Sequence, residues 1–327
     1  MNSVIGGVAL LVLGSSAGCA AQEGTPSAQT RLLIVYGDYQ SPPGSLIQTC
    51  IRTGERGKAD VEQLHLGIGA HGNTEAIWRA RVVSWITGNG KVADGRAPLA
   101  PGQRWPAQIP SKAAAFEGRK ADLVQVQLNL DYVLKTHNSE QRAITEEAVA
   151  GYVAAAKTAG ATLVFYVVPG NQHTTHKAGA SKGELVKKTE ADFQPELQAM
   201  DAECRRLSKT YRAVMAPTHL AFAALRTAHP ELNRPIHGTD THLWPHDAVL
   251  AALVISRALL GAGEHPLPTP EVLLAPLNQD ITRENVKRKE KGEADKPLIT
   301  IDPATWEAML EAITAAFLSA TNQEGKP

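Results

Sequence analysis

Five short apolar runs recur along the chain, with helix-length stretches between them. Leu32-Leu33-Ile34-Val35-Tyr36 ends at Gly37-Asp38, and a weaker run, Val61 to Leu66, ends at Gly67. Leu123 to Gln127 is a third, Thr162 to Val168 is the clearest, and Ala213 to Ala216 stops at Pro217. Runs of this length bounded by turn residues predict buried strands. Ser45 to Thr53, Glu75 to Ile86, Ser139 to Ala159, Pro195 to Tyr211 and Leu220 to Ala228 have helical spacing or strong helix formers. Asp247 to Leu260 predicts a further helix, apolar through most of its length.

Strands alternating with helices predict βαβ crossovers and a parallel sheet covered on both faces. Such sheets bind ligands beyond the carboxyl ends of their strands. Those ends carry Gly37-Asp38, Gly67 to Asn73, Asn129 to Asp131, and Pro169 to His176, so these four polar segments are expected on one side. Gly88 to Lys112, rich in Gly and Pro, reads as a long loop, either a rim or a surface excursion. Glu264 to Pro297, with the charge run Arg283 to Asp295, reads as a solvated linker. A last helix, Pro303 to Ser319, aligns Trp306, Met309, Leu310, Ile313 and Phe317 on one stripe and is expected to pack back on the domain.

The 327 residues are 43% hydrophobic, enough for one large or two small cores. Formal net charge is zero, so nothing steers the chain toward nucleic acid or an anionic surface. Residues 1–22 stand apart. Val4 to Leu13 is apolar, and Ser15-Ser16-Ala17-Gly18-Cys19 closes it with small residues. This predicts an export signal, too short to span a membrane stably. Ser16-Ala17-Gly18-Cys19 resembles a bacterial lipobox, which implies a lipid anchor on Cys19; ordinary cleavage after Cys19-Ala20-Ala21 is the alternative. Either puts the chain in the periplasm, outside the cell, or anchored at the cell envelope. Export leaves Cys50 and Cys204 where a disulfide is permitted, but two separate buried thiols are the preferred reading. Residues 23–31 are a polar linker.

The segment His237 to His246, HGTDTHLWPH, carries the densest chemistry. Asp240 lies two residues before His242, close enough to hold its tautomer and stabilise the imidazolium, as a general base requires. The competing reading is a helix-start signal with an exposed His. His237, Asp240, His242 and His246, or His173 and His176, have spacings a metal could use, and a zinc hydrolase needs three such ligands with an open position. No His-Glu-x-x-His element is present, and Pro245 interrupts a helical His242/His246 pair, so neither metal nor cofactor is expected.

The order of these blocks resembles the SGNH (GDSL-type) hydrolases, in particular a secreted bacterial branch. The order is strand with Gly-Asp, Gly-rich segment, strand with Asn, then a late Asp/His segment. The likeness covers about Leu32 to Leu260 and is strongest over MAPTHLAFAALRTAHPELNRPIHGTDTHLWPHDAVLAALVISRALLG and EEAVAGYVAAAKTAGATLVFYVVPG. It implies a flavodoxin-like three-layer α/β/α sandwich over residues 32–262, with residues 263–327 as charged linker and C-terminal helix. In that family a Ser after the first strand attacks an ester carbonyl. Backbone amides and an Asn hold the oxyanion, and a His with an upstream Asp removes the serine proton. The resemblance puts His242 on the family His, Asn129 on the oxyanion Asn, and Gly67 or Gly69 on the oxyanion Gly. Where the family has Ser, this chain has Tyr39; Ser41 follows two residues later and Ser45 opens the helix. The family Asp stands three residues before the His, and Asp240 stands two before, a variant found in some relatives.

Ser41 is the candidate nucleophile, on a turn reshaped by Pro42-Pro43-Gly44, with a plain turn hydroxyl as its alternative. Tyr39 is read as an aromatic wall of the cleft, and Asp38 as an acceptor of the turn's amides. Gly69 to Asn73 supplies either backbone donors or a helix cap. The expected function is an exported serine esterase acting on a small-molecule or carbohydrate ester, without cofactor. The alternative is a catalytically degenerate protein of this fold that binds a saccharide or other ligand. A metal-dependent hydrolase is third.

Overall fold

Strand β1 (Gln29–Gly37) turns Leu32, Ile34 and Tyr36 to one face of a sheet and Leu33 and Val35 to the other, and all five are fully buried. A strand apolar on both faces needs cover on both, and the helices supply it. The structure is a computed structural model; it describes residues 29–37, 42–67, 76–93, 111–128, 130, 139–168, 174–176, 185–187, 190–230, 245–261, 263 and 265–324.

The order continues as α1 (Gly44–Gly54), β2 (Ala59–Gly67), α2 (Ala76–Ile86), a 3₁₀ turn at Ser111–Phe116, β3 (Leu123–Leu128), α3 (Ser139–Ala159) and β4 (Thr162–Val167). Then come β5 (Thr174–His176), β6 (Leu185–Lys187), α4 (Glu190–Tyr211), β7 (Val214–Ala216), α5 (Thr218–Ala228), α6 (Pro245–Leu260), α7 (Pro270–Glu290) and α8 (Pro303–Glu324). Five strands form one parallel sheet in the order β2-β1-β3-β4-β7. Helices α2, α3 and α4 cover one face through Trp85, Tyr152 and Leu207; α1, α5 and α6 cover the other through Ile51, Phe222 and Leu253. This is a three-layer α/β/α, flavodoxin-like fold.

All five strands foreseen from the apolar runs form the sheet, and the helices predicted between them form within a few residues of their expected ends. The exception among those ends is α4, which starts at Glu190, five residues before the predicted Pro195. The small antiparallel pair of β5 and β6 was not foreseen; His176, the end of the polar segment from Pro169, lies opposite Leu185 in it.

The larger correction lies in 264–297, which is helical over Pro270–Glu290 rather than a solvated linker. Pro270 occupies the first helical position, Glu271 the first turn, and Lys287, Arg288 and Lys289 the last turn, matching the helix dipole at both ends. The helix buries only Leu273 and Leu274, so its apolar signal is faint. Two asparagines tie the following extended chain to it. The Asn278 side chain donates to Ile299 O at 3.0 Å and accepts from Ile299 N at 2.8 Å. Asn285 does the same with Lys296, at 2.8 Å in each direction. Helix α8 then packs on α5 and α6 through the predicted stripe, with Met309 and Ile313 buried and Trp306, Leu310 and Phe317 half-buried against them; Ala316, not foreseen, is buried as well.

Cys50 on α1 and Cys204 on α4 are free and buried on opposite faces of the sheet. Burial pushes the Cys50 thiol up to about 12, with a smaller opposing effect from Ser256, and raises the Cys204 thiol further. Two inert core thiols account for both.

Candidate functional site

In the order β2-β1-β3-β4-β7 the chain first steps from β1 to β2 on one side, then crosses to β3 on the other side of β1. That reversal leaves a crevice outside the carboxyl ends of β1 and β3, the usual ligand site of such sheets. The register shows what lines it. Gly37, last in β1, pairs with Gly67, last in β2. Tyr36 pairs with Val126, so Gly37 stands level with Gln127, which pairs with Tyr166, itself opposite Ala216. The top row of the sheet thus reads Gly67, Gly37, Gln127, Tyr166, Ala216. The two glycines contribute no side chain to this row, and Gly37 is itself buried beside the buried Gln127 amide.

Two helices start at this edge. Helix α1 begins seven residues after β1 ends and runs back along the sheet. Helix α6 runs parallel to α1: Ser256 Oγ donates to Ile47 O at 3.4 Å, and farther along both helices Leu260 meets Gly54. The first turn of α6 therefore points to the carboxyl edge. His246 stands in that turn with Nε2 at 3.1 Å from Thr300 O, tied to the C-terminal extension. It is half-buried in the helix. Ser45 is the second residue of α1, where its carbonyl accepts from Thr49 Oγ1 at 2.8 Å.

Of the residues singled out in the sequence, Gly67 is described and ends β2 at the crevice. Asp38, Tyr39, Ser41, Gly69, Asn129, Asp240 and His242 lie outside the described residues, as do His173 and His237. Their positions in the chain are nonetheless informative. Asp38 follows directly on Gly37, Asn129 directly on Leu128, and His242 precedes α6 by three residues.

Several polar groups near this edge were missed. Gln125 and Gln127 are fully buried on the face beneath α1 and α6, and both amide atoms of Gln125 lack a hydrogen bond. The alternation in Leu-Val-Gln-Val-Gln was a usable signal, since polar residues at every second strand position mark one face. His65, level with Val35 on β2, brings Nε2 to 3.5 Å from Gly37 O. Thr218 Oγ1 donates to Val167 O at 2.7 Å, fastening the start of α5 to the end of β4. Beside it His219, 2% exposed, turns Nε2 toward Asp201 Oδ1 at 3.4 Å, while Arg205 also pairs with Asp201. This acid–His pair joins α4 to the start of α5 just after β7, which lies two strand spacings (about 10 Å) from β3. Its burial and distance from the crevice make it a packing element.

No family model and no curated protein matches this chain. A solved structure of a DUF4886 family protein from Bacteroides uniformis is similar to it over 89% of this chain and 95% of that one, at 14% identity and a TM-score of 0.45.

Proposed function

We propose that this chain is an exported esterase of SGNH type, with Ser41 as nucleophile, His242 as base and Asp240 as the acid that orients it. The observation that carries the reading is the switch point. The strands preceding Asp38 to Ser41 and Asn129 are neighbours in the sheet, and their carboxyl ends open on one crevice with Gly37 and Gly67 abreast. The first turn of α6, three residues after His242, points to the same edge. That is the arrangement expected if nucleophile, oxyanion donors and base come from three separate chain segments.

In this reading Ser41 Oγ attacks the ester carbonyl while His242 takes its proton. The negative charge on the carbonyl oxygen is held by the Asn129 amide and a backbone N–H of Gly67 or Gly69. His242 returns the proton to the departing alkoxide, and water, deprotonated in turn by His242, hydrolyses the acyl-serine. Tyr39 walls the cleft, and Asp38 accepts amides of the turn that presents Ser41. A carbohydrate ester is the proposed substrate class. The export reading of residues 1–22, with Cys19 as an anchor, belongs to the same proposal.

Purified protein should hydrolyse short p-nitrophenyl esters, and a fluorophosphonate should label it once per chain. Ser41→Ala and His242→Ala should each abolish turnover, because nucleophile and base act as a unit. Full activity in Ser41→Ala together with loss in Tyr39→Phe would move the nucleophile to the tyrosine. Absence of both turnover and labelling would replace the esterase with a ligand-binding protein of the same fold, the reading that Tyr39 at the family Ser position favours.

A further inference from the structure

The first turn of a helix is where it is least held, because its leading N–H groups have no partner within the helix. In α6, Ala248 to Ser256 are buried, whereas Pro245, His246 and Asp247 are only half-buried. The proposed base, His242, comes three residues before this turn. Whatever holds the turn therefore also anchors the segment that carries His242.

His246 ties the turn to a distant part of the chain: its Nε2 donates to Thr300 O at 3.1 Å. The acceptor is firmly placed. On one side of it, Ile299 is gripped by the Asn278 side chain of α7 at 3.0 and 2.8 Å. On the other, Ile301 is buried in the core, and Asp302 accepts the Thr305 amide at 2.9 Å, as the cap of α8. The obvious role of the His246 bond is to fasten the C-terminal extension to the domain. That fastening is already made by the apolar stripe of α8 against α5 and α6, and by Leu273 and Leu274 of α7. One hydrogen bond at a half-exposed site adds little to it. By contrast, misplacing a reacting group by about 1 Å costs about 10²-fold in rate. The same bond is thus minor for docking and large for geometry.

We propose that His246 is a positioning residue: through Thr300 O it fixes the first turn of α6, and with it the His242 segment, against a brace formed by α7 and α8. The inference rests on the esterase reading for the role of His242, and goes beyond it in giving the C-terminal extension a part in turnover.

Kinetics on p-nitrophenyl acetate, with NMR of the full chain carrying isotope-labelled histidine, tests it. His246→Ala should lower kcat about tenfold or more, with KM within about threefold. Its Tm should stay within about 4 °C of wild type. His246→Gln, whose Nε2 can donate to the same carbonyl, should keep kcat within about threefold. Asn278→Ala frees Ile299 from α7 and removes nothing from α6, yet should lower kcat in the same way. The double variant should lose no more than the worse single one, because both act through one tie. The His242 ring signal, assigned by its loss in His242→Ala, should move in both alanine variants and stay in place in His246→Gln. That signal needs no turnover: a wild type without esterase activity overturns the esterase reading alone, and the NMR comparison still decides whether His246 holds His242. An unmoved His242 signal in the alanine variants overturns the proposal. So does an unchanged kcat in His246→Ala, or an equal loss in His246→Gln.

Discussion

Glu203 offers a prediction that can be worked from the coordinates. It lies on α4 with its side chain 4% exposed and takes three hydrogen bonds. Arg206 donates Nε to Oε2 at 2.9 Å and Nη2 to Oε1 at 2.7 Å, and Arg142 on α3 donates Nη2 to Oε2 at 3.0 Å. Arg206 also reaches Glu146 on α3 at 2.6 Å. The cluster thus ties α3 to α4. Glu203→Ala removes the buried member and leaves Arg206 a second acid, so no buried charge is orphaned. Charge-assisted bonds contribute roughly 1.5–3 kcal/mol each, but Arg142 and Arg206 are 49% and 35% exposed and solvent screens them. The net loss should be about 2 kcal/mol, which for a domain of this size lowers Tm by about 4–8 °C. The pH dependence gives a second check. The Arg206 bonds, with Arg142 helping, hold the Glu203 carboxyl below its ordinary 4.5. A depressed acid stabilises fully above its unfolded value and loses that contribution as pH falls through the folded one. The gap between wild type and Glu203→Ala in calorimetric scans should be full at neutral pH and close once pH falls well below 4.5. Equal Tm values at neutral pH, or a gap that stays constant into acid, would refute the reasoning.

Three further outcomes are expected. Asn129→Ala should lower the turnover number by about 10²–10³, as loss of one oxyanion donor does, with Tm unchanged; an unaltered rate on p-nitrophenyl acetate removes Asn129 from the mechanism. Gly90→Ala should destabilise by about 1–3 kcal/mol in chemical denaturation, because its Cβ would lie 2.3 Å from the fully buried Trp85 ring, which has no room to retreat; an unshifted midpoint refutes this. Cys50 and Cys204 should be silent to an aromatic disulfide reagent in the native protein and both react after denaturation; rapid native labelling of either would contradict their burial.

The sheet was legible from local pattern. A run such as Leu32 to Tyr36, apolar at every position, has one economical place in a fold: a strand covered on both faces. The intervening helices forced parallel crossovers, and these bring Gly37, Gly67 and Leu128 to one edge whatever the details of packing. The chain alone also suggested the proposed site, because Asp240 and His242 are near neighbours in sequence and Asp38 and Asn129 follow directly on strands. Other features depended on contacts between distant residues. Nothing local links His246 to Thr300; only the return of the chain past the start of α6 brings them together. The charged stretch before Pro297 looked solvated because α7 buries two leucines, and its order comes from Asn278 and Asn285 gripping backbone more than ten residues away. Hydropathy records what a residue prefers to leave in water, whereas hydrogen bonds between backbone and side chain record who its neighbour is. Gln125 shows the same divide: polar by sequence, it is enclosed because β3 lies at the centre of the sheet, with α6 laid across it.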